Sequence, residues 1–124
     1  MTKAGRKYFA DLMDRLSIPF DFAVWKAKPP DRYFVGEMQE DVMTTLEEDR
    51  RQDTVLYLRG FSRVSETLLM NDMEVLEKTL PITDILPDGT GIAIMYEGTR
   101  SVLTTDNQLD GTKTNIRIKE WKVN

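Results

Sequence analysis

Neither cysteine nor histidine occurs in this chain, and the two absences remove most enzyme chemistry. Without cysteine there are no structural disulfides, no thiolate zinc sites and no thiol nucleophiles. Without histidine the commonest general base and metal ligand is gone. Long apolar runs are also missing. No segment approaches the roughly 18 to 20 residues needed to span a bilayer, so no membrane partner is expected. The opening stretch MTKAGRKYFADLMDRL is interrupted by Asp11, Asp14 and Arg15, which leaves no signal-peptide core and implies synthesis in the cytosol. Basic charge is in deficit: 17 Lys plus Arg stand against 21 Asp plus Glu, a net of −4. That balance argues against nucleic acid as the main ligand, because phosphate neutralisation needs a surplus of cations. Repeats, Ser/Gly linkers and low-complexity tracts are absent as well.

What is present fits one folded domain over residues 1–124: 40% hydrophobic and 31% charged residues supply enough apolar material for a single core. Phe9, Leu12, Met13 and Leu16 fall at helical spacing and predict an amphipathic helix that ends before Pro19. FDFAVWKAK alternates Phe20, Phe22 and Val24 against Trp25 and reads as a strand, closed by the turn-forming Pro29, Pro30 and Asp31. RYFVGEMQ and TVLYLRGF read as two more strands, joined by the charged segment EDVMTTLEEDRRQD, Glu40 to Asp53. Leu69, Met73, Leu76 and Leu80 predict a second helix, with Ser62 or Ser65 as its cap and Pro81 as its stop. LPDGTG is turn material, IAIMYEG a central strand, TTDNQLDGTK a polar loop and TNIRIKEWKV the last strand. In that last run Ile116 and Ile118 share one parity while Trp121 and Val123 share the other. A bulge or a change of buried face near Lys119 and Glu120 is expected there. The expected fold is a two-layer α+β domain, with two helices packed on one face of a mainly antiparallel sheet in the order α-β-β-β-α-β-β. A charged loop or arm at about 40–53 projects from it. The other sheet face keeps its aromatics for water or a partner, which favours oligomers.

The chemistry-bearing motifs are few. Glu37, Glu40 and Asp41 are the best acid/base candidates, yet paired-carboxylate catalysis needs opposed groups in a cleft, and these sit at a strand end amid other charge. DNQLDG places oxygen side chains like the start of a calcium loop, but Arg117 stands where the bidentate glutamate belongs. PDGTG lacks the Lys-Ser/Thr of a phosphate-binding loop and precedes a strand rather than a helix. No catalytic residue, cofactor or metal is therefore expected. Arg50, Arg51, Arg59 and Arg63 are interleaved with Glu47, Glu48, Asp49 and Asp53, a mixed pattern suited to a protein contact or to plain solubility. Residues 36–53 hold seven acids and two bases, whereas residues 113–124 hold four bases and one acid. Opposite patches on one protomer are what a head-to-tail ring interface requires.

YFVGE (33–37), LRGFSR (58–63) and IRIKEWKVN (116–124), together with the order of elements, resemble the tail terminator or tail completion proteins of tailed bacteriophages and prophages. The resemblance implies a small α+β structural protein that forms a ring with itself, usually a hexamer, on the last ring of the tail tube. There it ends polymerisation and presents the surface that joins the filled head. Its partners are then the tail tube protein and the head-tail connector protein, in the host cytoplasm during assembly and in the tail or neck of the virion. Charge and position nominate as subunit contacts Glu37, Glu40, Asp41, Glu47, Glu48 and Asp49 on the acidic side, with Arg50, Arg51, Arg63, Lys119, Trp121 and Lys122 opposite. Two alternatives stay open: a head-to-tail connector or stopper, and a small enzyme or ligand-binding domain in which Glu37, Glu40 and Asp41 converge with Trp25, Tyr33 and Trp121.

Overall fold

The computed structural model describes residues 1–23, 28–40, 51–102 and 110–122. A helix, α1 (Lys3–Arg15), is followed by strands β1 (Phe20–Phe22), β2 (Arg32–Glu40) and β3 (Arg51–Ser62), then helix α2 (Glu66–Thr79) and strands β4 (Ile82–Ile85), β5 (Thr90–Val102) and β6 (Asp110–Lys122). The strands form one six-stranded sheet in the order β1-β2-β3-β6-β5-β4, curled into a half-barrel. About 53% of the described residues are in strands and about 27% in helices.

The expected two-layer α+β order is corrected at two places. β1 runs parallel to β2, with Phe20 opposite Phe34 and Phe22 opposite Gly36, so the sheet is mixed. Strand direction is set by the path of the connection, about which the composition of FDF is silent. The sixth strand is β4, paired antiparallel with β5 from Ile82 opposite Ile94 to Ile85 opposite Gly91. Its four residues include three exposed ones, so neither length nor alternation marks it in the sequence.

Local chemistry explains both helices. Thr2 caps α1: its hydroxyl oxygen accepts the Gly5 N–H at 3.0 Å, satisfying one of the donors that a helix start leaves unpaired. At the other end the Ser17 N–H donates to Asp14 and the Ile18 N–H to Met13, both at 3.0 Å. This is a Schellman closure with Ser17 in the left-handed region at φ 58. Ile18 is buried beneath it, and Phe9, Leu12 and Met13 form the buried stripe of the helix. Leu69, Met73 and Leu76 are the buried stripe of α2. Leu80 takes an extended conformation after it, as the residue before a proline prefers.

Both stripes close on the concave side of the half-barrel, where Phe34, Leu56, Leu58, Ile92, Ile94, Ile116 and Ile118 complete one core. The side chains reaching it from β3 and β6 share one parity: Thr54, Leu56, Leu58 and Ser62 on β3, and Thr112, Thr114, Ile116, Ile118 and Glu120 on β6 are all buried. Glu120 is fully inaccessible and lies under the start of α1. It accepts the Thr2 backbone N–H at 3.0 Å and the Thr2 hydroxyl proton. An anion is favourable at a helix N-terminus, and here it also has hydrogen-bond partners. The bulge expected near Lys119 and Glu120 is therefore absent: β6 pairs without a break along β3 from Arg51 opposite Trp121 to Ser62 opposite Asp110. The irregularity lies in β5, between Tyr96 and Thr99, where Gly98 adopts φ 123.

Polar links tie the helices to the sheet. Arg32 Nε donates to Asp72 of α2 at 2.7 Å. The Tyr8 hydroxyl of α1 donates to Asp84 of β4 at 3.0 Å. Burial, then the Asp84 contact, raises the Tyr8 pKa above the usual phenol value. The Ile85 N–H, then the Tyr8 hydroxyl, lowers that of Asp84 below the usual carboxylate value.

Candidate interaction surface on the open sheet face

Among the described residues, no helix covers the convex side of the sheet. Alternate residues facing it stand in cross-strand rows. Tyr33 of β2 opposes Phe61 of β3, and their rings stack at 5.3 Å with 28° between planes. One row runs from Val35 through Arg59 and Lys113 to Arg100. Another runs from Gln39 through Val55 and Arg117 to Met95. Asp53, Lys119, Ala93 and Thr83 form the next, and Arg51, Trp121, Gly91 and Ile85 the last. The face thus displays Arg51, Arg59, Arg100, Lys113, Arg117 and Lys119 against Glu37, Asp53 and Glu97 from its four long strands. A chain of net charge −4 keeps one cationic surface.

Some of these charges are paired within the face. Arg59 reaches Glu37 at 3.4 Å and lies 5.9 Å from the Phe61 ring centre. Arg117 Nε donates to Glu97 at 2.6 Å. The Lys113 ammonium sits 4.4 Å from the centre of the Tyr57 ring, a cation–π geometry, and the Tyr57 hydroxyl donates to Gln39 at 3.1 Å. At the β5 bulge the face dips into an open depression of about 220 Å³ lined by Glu97, Gly98, Thr99, Arg100, Lys113 and Asn115. Toward the other end of β5 and β6, Trp121 lies across Gly91, where a Cβ would collide with the indole.

The residues nominated by sequence are dispersed over this frame. Glu37 is exposed on the open face and Glu40 ends β2 opposite Thr54. Asp41, Glu47, Glu48, Asp49 and Arg50 lie outside the described residues, as does Trp25. Arg51 and Lys119 are exposed on the open face, Trp121 is half-buried there, and Lys122 is exposed opposite Thr90. Arg63 is exposed just past β3, its N–H bonded to the Asp31 carbonyl at 2.9 Å. The enzyme alternative looked for several of the acids and of Trp25, Tyr33 and Trp121 in one concave site, and Tyr33 and Trp121 do not share one. They lie at opposite ends of β3, against Phe61 and Arg51 respectively, roughly 30 Å apart at strand rise. Among the described residues no group of three or more acidic side chains is placed to hold a metal ion, and no helix is long and apolar enough to cross a membrane.

Sequence reasoning missed Arg100 and understated Lys113 and Arg117. The strand reading stops at Gly98 and assigns no element to residues 99–103, but β5 continues through Val102, and this continuation brings Arg100 opposite Lys113. The usable signal was Gly98, since a glycine inside a strand pattern marks a bulge rather than an end.

No family model matches the chain, and no curated protein matches it. Eleven solved chains are similar to it in structure. One of them, whose name describes no function, aligns over 98% of this chain and 92% of its own at a TM-score of 0.61 and 15% identity. At that identity the likeness concerns the fold.

Proposed function

We propose that this chain is a structural assembly protein of phage or prophage origin, a tail terminator that forms a ring on the end of the tail tube and contributes to the head-tail joint. The observation that carries the proposal is the segregation of charge. A sheet face that no described helix covers, bearing aromatics and six cations, coexists with a base-free acidic stretch from Glu40 to Asp49 in the same chain. A surface and its electrostatic complement on one protomer suit a heterologous contact that closes into a ring. Salt then weakens assembly, because the pairing charges are solvent-exposed.

Sedimentation velocity over a range of protein concentrations, alone and with tail tube protein, tests this. The expected result is a discrete oligomer that dissociates in high salt and is lost in an Arg50→Glu/Arg51→Glu variant. A chain that stays monomeric under all conditions, tube protein included, rejects the proposal. Capture of connector protein in preference to tube protein reassigns the chain to the stopper position.

A further inference from the structure

The row Arg59, Lys113 and Arg100 places three cations directly opposite one another on adjacent strands of the open face. Like charges in that position oppose sheet formation, and the fold offers them unequal relief. Arg59 has Glu37 and Phe61, and Lys113 has, among the described residues, the Tyr57 ring. Arg100 is exposed and has no ion pair among the described residues. The β5 bulge is what puts it there, because the extra residue between Tyr96 and Thr99 keeps Arg100 on the same face as Lys113. The two cations border the depression that Glu97, Gly98, Thr99 and Asn115 complete; with Glu97 held by Arg117, a ligand carboxylate entering it meets both charges and the Asn115 amide.

We infer that the Arg59-Lys113-Arg100 row and the adjoining depression are a docking site for a carboxylate-rich segment, supplied by residues 41–49 of a second copy of this chain. Charge complementarity selects that occupant: the stretch carries Asp41, Glu47, Glu48 and Asp49 and no base. Glu37 and Glu97 within the face disfavour a continuous phosphate track and are tolerated by a peptide with spaced acids. The inference rests on the self-assembly proposed above and locates its acceptor surface, with Lys113 and Arg100 as the residues that recognise the acid.

The test is fluorescence anisotropy of a labelled peptide of residues 41–49 against the full-length protein below its assembly concentration. Binding should weaken with salt, and an Arg100→Glu/Lys113→Glu variant should lose about tenfold or more in affinity, the size of a lost charge contact. Lys78→Glu, a charge reversal on the exposed side of α2, should leave binding unchanged, and circular dichroism of each variant verifies the fold. Equal losses in both variants, or equal binding of a peptide with its four acids changed to amides, overturn the inference. Tighter binding of a single-stranded oligonucleotide than of the peptide also overturns it. A monomeric chain that binds the peptide through Lys113 and Arg100 keeps the site and rejects the ring. A ring whose stability ignores the Arg100→Glu/Lys113→Glu variant keeps the ring and rejects the site.

Discussion

β3 and β6 contribute alternate residues to two surfaces that have solved the same problem differently. On the covered side a buried carboxylate finds its partners: Glu120 holds the backbone N–H and hydroxyl of Thr2 while no part of it meets water. On the open side, one residue away in the chain, Lys119 and Trp121 face outward, and three cations are lined up across adjacent strands with only partial compensation. A strand's period of two lets one segment serve a folding requirement and a recognition requirement at once. The two can therefore be disturbed separately.

The largest break in that comparison comes from the covered side. Phe34 is fully buried in the core, and Phe34→Ala should cost about 3–5 kcal/mol in urea denaturation, the range for an aromatic core truncation. A finer test uses adjacent residues. Glu120→Leu strands the Thr2 donors and should cost about 1–3 kcal/mol, whereas Lys119→Leu next to it, on the open face, should stay within about 0.5 kcal/mol. Similar losses in both would mean that the two faces are not energetically distinct. The smallest effect concerns the contact between α1 and the edge strand β4. Because burial and Asp84 raise the Tyr8 pKa, the unfolded phenol ionises first, and the stability Tyr8 contributes fades as pH climbs above its ordinary value of 10.0. Tyr8→Phe should flatten that alkaline decline in thermal melts between neutral pH and the folded phenol's pKa, leaving neutral behaviour almost unaltered.

Much of this architecture was legible where side chains state their own burial. The stripe of Phe9, Leu12 and Met13 and that of Leu69, Met73 and Leu76 located both helices, since helical spacing and core contact coincide. Direction and partnership were less legible. FDF gives no sign that it pairs parallel to β2, and ITDI is too short and too exposed to announce an edge strand. Glu120 misled because a carboxylate after Ile116 and Ile118 looks like the end of an inward-facing series. Its partner, Thr2, is 118 positions away in the chain, and no local pattern reports that. For the candidate surface, composition exposed the imbalance of acids and bases. The register, which sequence did not supply, assembled Arg59, Lys113 and Arg100 into a row.

The bulge in β5 has an implication for length variation. Between Tyr96 and Thr99 the chain spends one residue more than β6 needs to span the same two rungs of the ladder. Omitting Gly98 would leave everything downstream with its present inside and outside assignments, while omitting a residue from the uninterrupted pairing of β6 would turn the remainder of that strand over. The sheet thus carries a built-in slack point, a place where its sequence can shorten without inverting a surface.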